Sequence, residues 1–562
     1  MSRKTWLVLI LILIVVLTCG IAGICGAVGW FRVRDISDVL TPPLPSGPVD
    51  TLRPAPAGTL RLSGSMPPTL DPAMAQDSTS AEYIVHLFSG LVTLDADLQV
   101  VPDLADGWEL DAEGRVYTFF MHPDAVFHDG RPITAQDVVY SIERACDPAL
   151  GSPVALTYLG DIVGVHEYAQ GEATSIRGLR ALDAHTLEIE IDAPKAFFLA
   201  KLTYPTAFVV DGEQIEREGR AWMAQPNGSG PFRLESISPS GRGGRIVLVV
   251  HEAHRSALGG APALQRVEYL LDGGVPITMY ENDEIDIVGV PPTEIERVLD
   301  PYNPLFAEHV VEPELSVQYI GLNAAMPPFD DVLVRQAFAH AIDRDRLADL
   351  VLKNTAQPAA GILPPGMPGF NPDLEGLRYD PERARELLGQ SSYGSAEALP
   401  EIRLTTSGTS GRMPQFIGAI VAMLEESLGI EVLVEQVEWP YFLRDMNERR
   451  YMAFSAGWIA DYPDPENFID VLFHSASAQN HTGYANPEVD RLLEKARVAN
   501  GDDPVARLAL YQQAEQLIVA DAPWIPLTHG LNYVLVKPHV RGYRGSAGLY
   551  PWLAHIYLEP AD

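Results

Sequence analysis

Residues 106–144 read DGWELDAEGRVYTFFMHPDAVFHDGRPITAQDVVYSIER and combine a turn with the start of a helix. Histidine, aspartate and glycine at 128–130 are typical of a turn. Thr134 then stands as a helix N-cap with Asp137 three residues later, a variant of the capping box. A histidine–aspartate pair also occurs in catalytic sites, but we expect this pair to shape the turn.

On both sides of this stretch, segments with strand and helix periodicity alternate. TLEIEID at 186–192 and IRLTT at 402–406 predict strands. DDVLVRQAFAHAIDRDRL at 330–347 carries apolar residues at the spacing of one helix face. YDPERARELLG at 379–389 predicts a capped helix that Gly389 ends. The chain is therefore predicted to be an α/β protein with interleaved elements.

Size and charge narrow the possible functions. The chain has 562 residues, enough for three or four domain-sized units. Its 75 acidic and 40 basic residues give a net charge of −35, which argues against a nucleic-acid partner because phosphate binding needs a basic surface. Only Cys146 lies outside the N-terminal apolar run, so we expect no disulfide within the folded part.

The N-terminus predicts attachment to a membrane. Residues 5–31 carry no charge and are long enough to span a bilayer as a helix, so we expect residues 1–34 to form a retained anchor. Cleavage, or lipidation at Cys19 or Cys25, remains an alternative, although neither cysteine follows a small residue. The proline-rich residues 35–58 predict an extended linker between this anchor and the folded body.

Motifs for catalysis or cofactor binding do not stand out in the sequence. There is no dinucleotide-binding fingerprint, no Walker sequence and no H-E-x-x-H. His474 and His481 are seven residues apart without further metal-ligand spacing. The acidic segment DYPDPE at 461–466 has no recognisable nucleophile beside it. We therefore expect a protein without a cofactor or a metal, and not an enzyme.

Several segments in a fixed order resemble the extracytoplasmic solute-binding proteins of family 5, which serve dipeptide, oligopeptide and nickel ABC importers. Together they reach across nearly all of residues 59–562. The segments are TLDPAM…YSIER (69–144), GSGPFRL (228–234), YIGLNAAMPPFDDVLVRQAFAHAIDRDRL (319–347), GWIADYPDPENF (457–468), NHTGYANPEVDRLL (480–493) and QLIVADAPWIPLTH (516–529).

The resemblance implies a type II periplasmic-binding-protein fold, in which two lobes joined by a hinge close over a ligand in the cleft between them. Two crossovers near 312–316 and 528–532 would form the hinge. The implied parts are lobe I at 59–95, 207–312 and 530–562, an inserted domain at 96–206, and lobe II at 313–529.

The resemblance also implies a function. The chain would be the substrate-binding component of an ABC importer, held outside the membrane as a monomer, capturing dipeptides or oligopeptides and delivering them to permease subunits. One alternative keeps the fold but binds a non-peptide solute such as an oligosaccharide, a nickel chelate or an opine. Another is an anchored sensor or chaperone without transport.

Asp461 in the GWIADYPDP segment is the main candidate for ligand binding, because the resemblance implies that it pairs with the α-ammonium group of a peptide. Trp458 would form a wall of the cleft. Alternatively, Trp458 is a core residue and Asp461 caps the turn before Pro463. Further candidates, each with a structural role as the alternative, are Trp439, Tyr441, Asn323, Asn480, Met66, Pro67 and Thr69.

Overall fold

The computed structural model describes residues 58–238, 243–255, 260–271, 274–408, 411–499, 504–544 and 552–559. The predicted anchor at 1–34, and the predicted linker at 35–58 except for its last residue, lie outside the described residues. None of the helices within these ranges has the length and apolar character that crossing a bilayer requires.

The elements alternate along the chain, which confirms the predicted α/β class. The strands are β1 Thr59–Ser63, β2 Val92–Leu94, β3 Val100–Pro102, β4 Ala105–Leu110, β5 Val116–Met121, β6 Leu179–Ala181, β7 Thr186–Glu190, β8 Phe232–Ser238, β9 Arg245–Val250, β10 Arg266–Leu270, β11 Ile287–Gly289, β12 His309–Pro313, β13 Ser316–Leu322, β14 Ala356–Pro358, β15 Ile402–Ser407, β16 Val432–Val437, β17 Ala453–Ile459, β18 Trp524–Val536, β19 Val540–Arg541 and β20 Tyr557–Leu558. The helices are α1 Ser78–Leu87, α2 Ala135–Cys146, α3 Ala155–Leu159, α4 Val165–Ala169, α5 Phe198–Lys201, α6 Gly212–Glu218, α7 Pro276–Glu281, α8 Ile295–Val298, α9 Val332–His340, α10 Arg344–Arg346, α11 Pro381–Gln390, α12 Gln415–Leu428, α13 Trp439–Asn447, α14 Val471–Phe473, α15 Pro487–Val498 and α16 Pro504–Asp521.

The local signals in the opening stretch produce the predicted turn and helix. Gly130 has a φ of +91°, a left-handed conformation that favours glycine, and completes the turn at 128–130. Thr134 caps α2, and its backbone N–H donates to a carboxylate oxygen of Asp137 at 2.8 Å. The predicted end of α11 is wrong by one residue, because the helix runs through Gly389 to Gln390.

One large sheet runs through most of the fold, and its long strand β18 connects the two ends. The strand order is β16-β15-β17-β13-β18-β11-β1-β10-β9-β8, with β12 and β14 also paired to β18. The first part of β18 pairs with β13, and its last part pairs with β11 and β12. A separate sheet has the order β4-β5-β7-β6.

Two chain segments cross closely where β18 changes partners. The backbone N–H of Glu314 donates to the carbonyl oxygen of Gly530 at 3.2 Å. A Cβ atom at Gly530 would lie only 2.5 Å from Oε2 of Glu314 and 2.7 Å from Oγ of Ser316. Glycine therefore permits this close approach, which lies at the predicted crossovers.

Buried apolar side chains form separate clusters rather than one continuous core. One cluster joins β1, α1 and β8–β10 with the residues around β20. A second is built from the four-stranded sheet, α2 and α3. Two more pack on the β13–β17 part of the large sheet. The bounds predicted for the lobes and the inserted domain stay predictions.

Candidate functional site

A cavity of about 240 Å³, which we call the first cavity, lies where these clusters meet. Its walls come from α1 and the residues before it, α3, β13, α13 and the end of β17. The lining residues are Gln76, Asp77, Ser78, Ala81, Val154, Tyr158, Tyr204, Gln318, Tyr319, Trp439, Leu443, Met446, Asn447, Ala456, Gly457, Trp458, Ile459, Ala460, Asp461, Gln479 and His481.

Asp461 lies in the wall of the first cavity and is only 9% exposed. The hydroxyl of Tyr158 donates to Oδ2 of Asp461 at 2.5 Å, and Nδ2 of Asn467 donates to the same oxygen at 2.9 Å. The backbone N–H of Asp461 donates to Oδ1 of Asn467 at 3.0 Å. Its other carboxylate oxygen, Oδ1, receives no hydrogen bond from the described residues.

Burial raises the pKa of Asp461 from 3.8 to about 6, although its hydrogen bonds with Tyr158 and Asn467 favour the ionised form. Within the part of the chain that the structure describes, no cation lies close enough to compensate the charge. A buried carboxylate in this state is stabilised by a cation that reaches it. Since Asp461 faces a cavity, that cation can be part of a ligand.

Stacking on a second tyrosine ring positions the hydroxyl of Tyr158. The Tyr158 ring stacks on the Tyr204 ring with a centroid distance of 3.7 Å and an interplanar angle of 3°. The hydroxyl of Tyr204 donates in turn to the carbonyl oxygen of Ala75 at 3.1 Å. Sequence reasoning did not identify Tyr158, which is 303 residues from Asp461 in the chain and carries no local motif.

Trp458 shares its hydrogen-bond partner with Asp461. Its Nε1–H donates to Oδ1 of Asn467 at 3.1 Å, and its ring packs against the neighbouring apolar cluster while lining the first cavity. Asn467 therefore fixes both predicted site residues, and it was not predicted. The structure combines the two alternatives for Trp458, because the ring both contacts the core and forms a wall.

The two candidates on α13 point to different surroundings. Trp439 lines the first cavity and stacks on Phe442 at a centroid distance of 5.8 Å. Tyr441 is 53% exposed, does not line the described cavity and lies beside the guanidinium of Arg444, 5.3 Å from its ring centroid. Helix geometry explains the difference, since residues two apart lie on different faces.

Asn323 and Asn480 are buried and use their amide groups to bond the chain itself. Nδ2 of Asn323 donates to two backbone carbonyl groups, and its Oδ1 accepts from the backbone N–H of Ala325 at 3.1 Å. Nδ2 of Asn480 donates to the carbonyl oxygen of Tyr484 at 2.7 Å, and Oδ1 of Asn480 accepts from the backbone N–H of Tyr484. Neither residue lines the first cavity.

The three candidates before α1 lie in the strand-to-helix connection. Met66 is 38% exposed, and Pro67 is buried. Oγ1 of Thr69 accepts from the backbone N–H of Asp71 at 3.0 Å. None of the three lines the first cavity, whose wall begins further along the chain at Gln76.

Charged and polar contacts join the segment predicted to be lobe II to the segments predicted to be the inserted domain and lobe I. Nζ of Lys201 lies 2.9 Å from Oε1 of Glu466 and 3.0 Å from Oδ2 of Asp161. All three side chains are largely buried. Nδ2 of Asn447 donates to Oε1 of Gln76 at 2.8 Å. The bond between Asn447 and Gln76 joins two residues that line the first cavity.

Metal binding receives no support from the arrangement of side chains. Among the residues that the structure describes, no three or more histidine, cysteine, aspartate and glutamate side chains are grouped in a way that could hold a metal ion. His481 lines the first cavity, and burial lowers its pKa to about 4, so its imidazole is neutral at pH 7.

Solved structures share this architecture. The Escherichia coli murein tripeptide binding protein MppA has 28% sequence identity and a TM-score of 0.79, over 89% of this chain and 98% of the other. Against the unliganded open form of MppA the TM-score is 0.64. The two-lobed fold with a cleft is thus confirmed, and its lobes are arranged less like that open form than like the other MppA structure.

Curated relatives match over most of their length. The periplasmic oligopeptide-binding protein OppA of Escherichia coli (strain K12) is 30% identical, covering 87% of this chain and 90% of OppA. The probable deoxycholate-binding periplasmic protein YgiS of the same organism is 31% identical, covering 85% of this chain and 89% of YgiS. A family model, described as bacterial extracellular solute-binding proteins, family 5 Middle, matches residues 99–480. The chain therefore belongs to the family 5 bacterial extracellular solute-binding proteins.

Proposed function

We propose that this protein captures dipeptides or oligopeptides outside the membrane and delivers them to the permease of an ABC importer. The observation that carries the proposal is the buried carboxylate of Asp461, which faces the first cavity without a compensating cation among the described residues. Its relatives include a protein named for oligopeptide binding and one named for murein tripeptide binding.

A peptide α-ammonium group would supply the positive charge and the N–H donors that the described residues do not offer to the Asp461 carboxylate. Oδ2 already accepts two hydrogen bonds, so Oδ1 remains to accept from the ligand. A cation beside the carboxylate would lower its pKa and keep it ionised. The indole of Trp458 and the tyrosine pair behind Asp461 would contact the apolar part of the first ligand residue.

A non-peptide solute is the second candidate, because YgiS is named as a probable deoxycholate-binding protein. Deoxycholate is an anion at neutral pH and would bring a second negative charge into a cavity that contains Asp461. Like charges in a poorly solvated site repel each other. The electrostatics of the first cavity therefore favour a ligand that carries an amine.

We infer that residues 1–34 tether the protein at the outer face of the membrane and that 35–58 act as a spacer. We also infer lobe I at 59–95, 207–312 and 530–562, lobe II at 313–529 and the inserted domain at 96–206. The protein would act as a monomer without catalysis, and the relatives named above support a periplasmic or equivalent location.

Calorimetry with paired ligands tests the proposal. Trialanine and its N-acetylated form differ in the α-ammonium group, so the wild type should bind trialanine and lose at least about tenfold in affinity for the acetylated peptide. Asp461→Asn should remove this difference. Asp124→Asn, at an exposed aspartate outside the cavity lining, is the matched control. Equal affinity for both peptides, or binding of deoxycholate but no peptide, would contradict the proposal.

A further inference from the structure

A second cavity of about 480 Å³ adjoins the first one. Ser78 and Ile459 line both cavities, so the two spaces meet at these residues. The second cavity extends along α1 toward β11 and β18. Its lining residues are Leu62, Ser63, Ser78, Glu82, Val85, Ile287, Val288, Gly289, Glu314, Ile459, Asn532, Val534, Tyr543, Arg544 and Trp552.

Two glutamates stand in the wall of the second cavity. Glu82 lies one helical turn after Ser78 on α1, so both side chains share the helix face that lines the cavities. Burial raises the pKa of Glu82 from 4.5 to about 7, and the described residues offer it no hydrogen bond or ion pair that would lower it again. Glu314 accepts a hydrogen bond from the hydroxyl of Ser316 at 2.5 Å and has no ion pair with the described residues.

The wall also contains Arg544, whose positive charge has to be weighed against the two glutamates. Nη1 of Arg544 lies 3.2 Å from a carboxylate oxygen of Asp97, and its side chain is 52% exposed. Arg544 is therefore about half-exposed and forms an ion pair with an aspartate that does not line the cavity. The carboxylates of Glu82 and Glu314 are the acidic groups of the described wall.

The apolar part of the wall suits a long side chain with a charged end. Leu62, Val85 and Trp552 contribute apolar surface beside the two glutamates. Lysine and arginine side chains lay their methylene groups along apolar surface and keep the charged head near polar partners. A guanidinium or ammonium head beside either carboxylate would also gain charge-assisted hydrogen bonds.

We propose that the second cavity receives a cationic side chain of the bound peptide, with Glu82 and Glu314 as the specificity-determining residues. The inference rests on the proposed function, since Asp461 in the first cavity would hold the amino terminus of the same peptide. The chain would then select peptides that contain lysine or arginine at one particular position after the amino terminus.

A tripeptide scan by calorimetry tests this selection. Trialanine is compared with peptides in which lysine, norleucine or glutamate replaces alanine at each position in turn. Norleucine keeps the methylene chain of lysine and removes the ammonium group, so the comparison isolates the charge. We expect at least tenfold tighter binding of lysine than of norleucine at one position, and weaker binding of glutamate there.

Variants then connect that position to the second cavity. Glu82→Gln and Glu314→Gln keep side-chain shape, and each should bring lysine to within threefold of norleucine in the same variant. A cooperative thermal unfolding transition shows that the variant is folded. Glu113→Gln, at an exposed residue outside both cavities, should leave the lysine preference intact.

The outcomes separate the two proposals. If trialanine binds but lysine equals norleucine at every position, the inference is overturned and the proposed function stands. Tighter binding of glutamate, or a lysine preference that survives both glutamine variants, also overturns the inference. If no tripeptide binds, the proposed function fails and the inference fails with it.

Discussion

Replacing Asp461 with asparagine should stabilise the ligand-free protein at neutral pH while it weakens binding of an amine. Burial raises the pKa of Asp461 from 3.8 to about 6. The native state therefore holds this proton more tightly than the unfolded chain. Ionisation of Asp461 therefore lowers the stability of the native state as the pH rises. This loss of stability is absent below about pH 4 and complete above about pH 6. For a side chain that is 9% exposed, this difference corresponds to about 3 kcal/mol.

The substitution removes the charge and keeps the local hydrogen bonds. The amide oxygen of asparagine can still accept from Tyr158 and Asn467, which are the donors to Oδ2 in the wild type. We therefore expect the free energy of unfolding of Asp461→Asn to exceed that of the wild type by about 2–3 kcal/mol at pH 7.5, and to equal it at pH 4.

Urea unfolding at the two pH values measures the difference, after bound ligand has been removed by unfolding and refolding. Other titrating groups cancel because only the difference between variant and wild type is used. The reasoning is refuted if the variant is no more stable at pH 7.5, or if any gain is equal at both pH values. Either result would mean that the Asp461 carboxylate is well solvated in the ligand-free protein.

Three further predictions concern a buried ion pair, the packing and the cavity wall. Lys201→Met leaves the buried Glu466 without its ion pair, while Asp161 keeps Lys195, and should lower the free energy of unfolding by about 3–5 kcal/mol in urea titrations; no loss would contradict the buried pairing. Gly321→Ala places a methyl group against the Phe454 ring and should lower the free energy of unfolding by about 1–3 kcal/mol in the same assay. Gly389→Ala, in a helix with open space beside it, should raise the free energy of unfolding by about 0.5–1 kcal/mol. Trp439→Ala should weaken peptide binding about tenfold in calorimetry, and a larger effect from Tyr441→Ala would reverse our assignment of the α13 faces.

The fold could be predicted to a large extent because its elements carry strong local signals. The capping residues Thr134 and Asp137 form the expected cap. The apolar residues at helical spacing in 330–347 are buried in one cluster around α9. Gly389 did not end its helix as predicted, because glycine is also tolerated in the last turn of a helix when nothing requires a left-handed conformation.

The candidate site could be predicted only in part. Asp461, Trp458 and Trp439 line the first cavity. The side chains that set their geometry were not predicted, because Tyr158 reaches Asp461 from 303 residues away and only the tertiary fold brings them together. Asn323 was predicted as a site residue but does not line the first cavity. In sequence, a buried asparagine that bonds backbone carbonyl groups cannot be distinguished from one that binds a ligand.

The segment 461–466 holds two buried carboxylates whose charges are compensated in different ways. Burial raises the pKa of Glu466, and the ammonium group of Lys201, 2.9 Å away, opposes this rise. Asp461 has no such cation among the described residues, so burying its ionised carboxylate is unfavourable in the ligand-free protein. A ligand amine beside the carboxylate would reduce that cost. A ligand shifts an equilibrium between open and closed states only through its different affinity for the two states. We infer that the Lys201–Glu466 pair stabilises the closed walls whether or not a ligand is bound, whereas Asp461 makes their closure depend on a bound amine.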